Sequence, residues 1–178
     1  VFLGFPNVDV PHSRISFGIN PNGYFADIDV IAKDDLMYAP NYVDAYFGQD
    51  RQDWLKQAED HPEVLGVIYG NFGVVDSILR SPLHLSLQYG DSAGSFDAMK
   101  GSIMQHVNMW LAWLSKSEEL NRNKRGIMFA RDANVHKLFF RLEQSRVTYM
   151  FNGDKDFATK YAASLVGPGD EAYTGQHS

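Results

Sequence analysis

The chain has 178 residues, a formal net charge of −6, 44% hydrophobic and 21% charged residues, and no cysteine. That length builds one sizeable core and is short for two, so a single domain over residues 1–178 is expected, with an acidic balance that disfavours non-specific nucleic-acid binding. The missing cysteines exclude disulfide scaffolds, thiolate metal sites, cysteine-ligated iron–sulfur clusters and cysteine nucleophiles, and no apolar run approaches the roughly 18 residues of a membrane-spanning helix.

Residues Ser13 to Ile19 and Gly23 to Ile31 are rich in β-branched and aromatic side chains and flank Asn20-Pro21-Asn22-Gly23. Proline followed by Asn-Gly is strong turn chemistry, so this stretch predicts an antiparallel hairpin. Pro40 and Asn41 then open a segment in which Tyr42, Val43, Tyr46, Phe47, Trp54 and Leu55 recur at near-helical spacing. It predicts one helix to about Glu59, disturbed at Gly48. Two apolar stretches, Val74 to Leu79 and Leu83 to Tyr89, follow on either side of Arg80-Ser81-Pro82. In the second, strict alternation predicts a strand with Leu83, Leu85, Leu87 and Tyr89 toward the core and His84, Ser86 and Gln88 on the other face.

Ser95 is the expected N-cap of a long helix whose apolar stripe, from Phe96 through Met99, Ile103, Val107 and Trp110, reaches about Leu120. Shorter helical patterns run from about Ala133 to Tyr149 and from Asp154 to Val166, separated by Gly153 and stopped by Gly167-Pro168-Gly169. Strands that come early and helices that come late argue for an α+β fold, an antiparallel β-sheet flanked by helices.

The histidines show no pair at the i, i+4 spacing of a helical metal site, the glycines fit neither a P-loop nor a dinucleotide fingerprint, and no Gly-x-Ser-x-Gly elbow is present. Residues 122–146 hold seven bases against Asp132 and Glu143, whereas residues 1–80 hold 12 acids and five bases. A basic stretch of this kind reads first as a solvated helix face and second as a surface for an acidic partner.

Two segments resemble a known family. Gly23 to Phe47 combines an apolar strand, a Lys33-Asp34-Asp35-Leu36 turn and a helix opening Pro40-Asn41-Tyr42-Val43, and Phe129 to Phe140 sets Asp132 ahead of a helical pattern. Together they resemble the ferredoxin-dependent bilin reductases, and within them most nearly red chlorophyll catabolite reductase, with Ala39 and Val43 departing from that pattern's His-Pro-x-Tyr-Leu helix opening. The resemblance covers most of this chain. Family members usually carry further sequence before this region, and the chain, which opens on Val1, is read as a processed product or part of a longer precursor.

The resemblance implies an α/β/α sandwich with a linear tetrapyrrole between the sheet and the C-terminal helices. It assigns Asp132 as the aspartate that supplies or relays protons, a role compatible with capping a helix that starts at Ala133. The chemistry is coherent, because adding electrons to a conjugated pigment builds negative charge that a positioned acid must neutralise. A second acid is expected on the early strand after Pro11-His12, where this chain has Ser16, and serine is no strong proton source. Arg80, His84 and Arg131, and Ser16 by its position, are the implied pigment-binding residues; arginine pairs well with propionates.

The function implied is reduction of a linear tetrapyrrole, the red chlorophyll catabolite or a related bilin. No bound cofactor is implied; reduced ferredoxin is the external electron donor, docking on the basic segment, and the location is a plastid. With no cysteine, a thioether link to the pigment is excluded. The alternative is a non-catalytic protein of the same scaffold that binds pigment or serves as an accessory subunit of a photosynthetic complex.

Overall fold

The structure, a computed structural model, describes residues 2–4, 7–68 and 80–167. Among these, five strands form one antiparallel sheet: β1 (Phe2–Leu3), β2 (His12–Asn20), β3 (Gly23–Ile31), β4 (Val64–Val67) and β5 (Leu85–Tyr89), in the order β1-β2-β3-β5-β4. Helices α1 (Pro40–Phe47), α2 (Gln49–Glu59) and α3 (Ala93–Lys116) cover one face, and α4 (Arg122–Met150) and α5 (Lys155–Val166) close on the other. The fold is α+β, as the order of elements implies.

The β2–β3 hairpin follows from its turn. Asn20 pairs with Gly23, and Asn20 Oδ1 accepts a 2.8 Å hydrogen bond from the Asn22 amide. Gly23 has φ +115°, and a Cβ there would lie 2.5 Å from the carbonyl group of Gly90, so the turn and the end of β5 share a space only glycine leaves open.

Alternation along the strands separates two unlike faces. Ala26, Ile28 and Val30 of β3 and Leu85, Leu87 and Tyr89 of β5 are buried against Trp54, Ala58 and Met99 and against an aromatic cluster of Tyr42, Tyr46, Phe47 and Trp110. Burying each such aliphatic side chain contributes about 1.5–3 kcal/mol, which makes this layer the main apolar core. The opposite face carries Arg14, Asp27, Asp29, His84 and Ser86, and among the described residues it forms an apolar cluster with α4 and α5 around Ile31 and Phe139.

Several boundaries differ from the sequence expectation. The segment after Pro40 is two helices, because the backbone at Gly48 is extended (ψ −165°). Ser92, not Ser95, caps α3: Ser92 Oγ accepts from the Ser95 amide at 3.0 Å, while Ser95 Oγ donates to Glu63 Oε2 at 2.6 Å. The short strands β1 and β4 had no legible pattern. The apolar stretch Val74 to Leu79 lies outside the described residues. The largest correction concerns α4, which starts at Arg122 under an Asn121 cap rather than at Ala133, so Asp132 lies inside the helix and caps nothing. Lys, Arg, Met and Ala are good helix formers, and their number between residues 122 and 133 outweighs the weak apolar periodicity there.

Candidate functional site

A cleft of about 170 Å³ opens between β2 and the C-terminal helices. Its walls are Arg14 and Ser16 with their neighbours on β2, Phe139, Glu143 and Arg146 on α4, and Tyr161, Leu165 and Val166 on α5. Arg14 stacks over Phe139 at 5.1 Å and reaches Glu143 at 3.9 Å, and Arg146 meets Glu143 from the solvent side at 2.7 Å. The helices α4 and α5 pack chiefly on each other rather than on the strands.

Beside this cleft the sheet carries a cluster of charge. Asp27 Oδ1 lies 2.5 Å from His84 Nε2, and Arg80 Nη2 lies 3.4 Å from Asp27 Oδ2. Burial alone raises the Asp27 pKa, but the His84 hydrogen bond and the charges of His84, Arg14 and Arg80 outweigh it and hold the carboxyl below its ordinary value. Asp29, fully buried, accepts from Ser81 Oγ at 2.5 Å and from the Val30 amide at 2.8 Å. There burial wins over these hydrogen bonds and the Asp29 pKa is raised.

Asp132 sits in a second polar cluster. Its Oδ1 is 2.8 Å from His12 Nε2 and its Oδ2 is 3.1 Å from Lys33 Nζ, which also donates to the Val8 carbonyl at 2.8 Å. The Lys33 amide donates to Tyr42 Oη at 2.9 Å, and Asp35 Oδ1 accepts from the Met37 amide at 2.8 Å. The Lys-Asp-Asp-Leu turn and the tyrosine after Pro40 are therefore one unit that presents a buried ammonium to helix α4. On α4, residues Asp132, His136, Phe139 and Glu143 share one stripe facing the sheet, and Asp132 stands about 10 Å along the helix from Phe139.

The structure thus brings together Ser16, His84 and Arg80, around Asp27, and keeps Asp132 on the same side of the sheet but in its own ion-paired cluster. Arg131, half-buried, lies about 100° around the helix from Asp132 and is not part of the cleft wall. Asp27, Asp29, Arg14 and Glu143 were missed. The signal for the first two was present in GYFADIDVI, where two aspartates at i, i+2 on an apolar strand mark a polar face inside a two-sided sheet.

Among the described residues no group of three or more histidines and carboxylates is placed to hold a metal ion, and no helix is long and apolar enough to cross a membrane. No family profile and no curated protein sequence matches the chain. Among solved structures it is similar to phytochromobilin synthase from tomato in complex with biliverdin, with a TM-score of 0.62 and 19% identity over 90% of this chain. The chain spans 57% of that protein's length. At this identity the likeness establishes a shared fold.

Proposed function

We propose that this chain binds a linear tetrapyrrole against the charged face of its sheet and reduces it with electrons from ferredoxin. The observation that carries the proposal is that face itself. A core-side surface bearing Arg14, Asp27, Asp29 and His84 costs stability that apolar residues would not, and such clusters concentrate at functional sites. The shared fold with a bilin reductase whose structure contains biliverdin supports the same reading.

In this reading the pigment enters between β2 and the α4–α5 pair. The cleft's 170 Å³ is below the roughly 300–1,000 Å³ usual for ligand pockets, so α5 and the C-terminal part of α4, which pack chiefly on each other, give way while Asp132 keeps its contacts with His12 and Lys33. Arg14 and Arg146 receive pigment carboxylates, with Arg80 behind them. Asp132 and His12 form one proton route: the carboxylate orients the imidazole while Lys33 fixes the carboxylate. The substrate proposed is the red chlorophyll catabolite or a related bilin, in a plastid. Ferredoxin docking on α4 is part of the proposal, although Lys124, Arg125 and Arg146 already meet Asp9 and Asp34, Glu119 and Glu143, which leaves the helix less basic than its composition.

Two observations favour a second reading, a pigment-binding or accessory protein without turnover. Ser16 stands in the cleft wall where the resemblance calls for an acid, and Tyr149 (89% exposed), Met150 and Phe151 form an uncovered apolar end of α4. Mixing the protein with open-chain tetrapyrroles and adding reduced ferredoxin separates the two. A spectral shift followed by bleaching supports reduction, a shift without bleaching supports binding alone, and no shift removes both pigment readings.

A further inference from the structure

The second half of β2 forms an open edge of the sheet. Asn20 and Gly23 close a two-residue turn as a hydrogen-bonded pair, so alternation along the ladder points the N–H and C=O of Gly18 toward β3 and those of Phe17 and Ile19 away from it. Tyr24, opposite Ile19, accordingly donates its amide to the Gly90 carbonyl on the far side. On the outer side β1 pairs with Ser13 and Arg14, and no described strand pairs there with Phe17 or Ile19. Edges of this kind are ordinarily blunted by lysine, proline or a bulge. Here residues 15–20 carry no charge and keep an unbroken register with β3, and Phe17 and Ile19 are 55% and 68% exposed.

The apolar surface continues onto α3. Phe17 and Ile19 leave the sheet on the side that α3 covers, as do their partners: Ala26 is buried in one cluster with Met99, and Tyr24 meets the Phe96 ring at 5.4 Å. Phe96, Ile103 and Val107 lie within about 20° of one line along α3, with Leu111 beside them. Helix α2 faces the opposite flank of α3, at Ala98 and Gln105.

We infer that this face joins two copies of the chain, their β2 strands pairing antiparallel about a two-fold axis at Gly18. The strand is complementary to itself in that register. Phe17 falls opposite Ile19 of the second copy and Ile19 opposite its Phe17, so every outward N–H meets a C=O, and each aromatic ring meets a β-branched side chain on the same face. Like charges are not brought together, because the run has none. Phe17, Ile19, Phe96 and Leu111 expose on the order of 500 Å² per copy, about 1,000 Å² in the pair, the size a specific interface must reach. Three strand spacings set the two α3 helices about 14 Å apart, and these side chains fill the gap.

The pairing also completes the cleft. Its wall takes in Ile15, Ser16 and Phe17, from both faces of β2, and so reaches the strand's outer edge. Ser16 falls opposite Asn20 of the second copy, which brings a carboxamide beside the serine on the cleft side. The pairing stands independently of the bilin reading.

The test is sedimentation velocity on the whole chain, without pigment, between roughly 1 and 200 µM. The expected mass rises from 20.1 kDa to twice that value and stops there. F17K and I19K, at exposed positions, should keep the circular dichroism of the parent and weaken association at least about 30-fold. F17E/I19E and F17K/I19K should each stay monomeric, and an equimolar mixture should form the mixed pair. A mass of 20.1 kDa throughout overturns the proposal, as does one that keeps growing past two copies. Lysine variants that associate as tightly as the parent move the contact to another surface and overturn it too. A mixture of the charged variants that stays monomeric overturns the register.

Discussion

Lys33 Nζ lies 3.1 Å from Asp132 Oδ2, so the turn that ends β3 is pinned to the start of the sheet-facing stripe of α4. The ammonium is fully buried and the carboxylate is 15% exposed, and each is the other's main compensation in a region of low dielectric. Removing one partner is therefore worse than removing both. Asp132→Asn and Lys33→Met should each lower stability in urea by about 3 kcal/mol, and the double variant by clearly less than the sum. If the double variant is additive, the two groups do not compensate each other.

The same relationship bears on function. D132N should abolish bleaching of biliverdin while the binding shift persists, once measured at a urea-free temperature where the variant is folded by circular dichroism. Unchanged bleaching would remove Asp132 from the proton route.

On the other face of the sheet, His106 sets a pH dependence. It is fully buried on α3; Arg51 donates to its Nδ1 at 3.0 Å, which leaves Nε2 to donate to Ser13 Oγ at 2.8 Å. Burial, and then the Arg51 charge, push its pKa down to about 3. In the unfolded chain it titrates near 6.5. Between those values the unfolded state binds a proton that the native state refuses, so stability falls as pH drops below about 6.5, approaching 1.4 kcal/mol per unit, and levels near pH 3. His106→Gln can keep both hydrogen bonds and should flatten this part of the profile. Equal slopes for variant and wild type in urea titrations at pH 7 and pH 5 would show that other groups carry it.

What the sequence disclosed follows the strength of its local signals. The hairpin was legible because Pro21-Asn22-Gly23 admits few backbones, and the faces of β5 were legible because Leu85, Leu87 and Tyr89 alternate with His84, Ser86 and Gln88 without a break. The start of α4 was not, because residues 122–132 are polar good helix formers whose helix is secured by the Asn121 cap and by long-range pairs such as Lys124 with Asp9 and Asp34. The candidate site was half legible. Asp132 was singled out by likeness alone, and its partners His12 and Lys33 meet it only through tertiary structure. Asp27 is marked in the sequence by the i, i+2 aspartates of GYFADIDVI, but its partners His84 and Arg80 reach it only through tertiary structure.

Gly23 provides a test of the β2–β3 register. Its φ of +115° is strained for any other residue, and a Cβ would stand 2.5 Å from backbone atoms of Tyr89 and Gly90. Gly23→Ala should cost about 2–3 kcal/mol and loosen the end of β5 along with the hairpin, visible as faster amide exchange at both Tyr24 and Gly90. Exchange that rises at the hairpin alone would show that the two turns are not in contact.

Glu143 is the residue on which ligand entry should turn. It lies between Arg14 at 3.9 Å and Arg146 at 2.7 Å, and its side chain is only 7% exposed, so in the absence of pigment it supplies the negative charge that these two guanidiniums require. A pigment carboxylate reaching the cleft must compete with it, because both anions seek the same donors. Neutralising Glu143 removes the competitor and leaves two arginines undercompensated, which a carboxylate ligand repairs. Glu143→Gln should therefore bind biliverdin more tightly, by roughly 3–10-fold, with a steeper loss of affinity as salt is raised, while losing about 1–3 kcal/mol of stability without ligand. Arg146→Ala should weaken binding by a similar factor. The dimethyl ester of biliverdin, which lacks both carboxylates, should show neither effect. If the ester responds to E143Q as the acid does, the carboxylates do not occupy this end of the cleft.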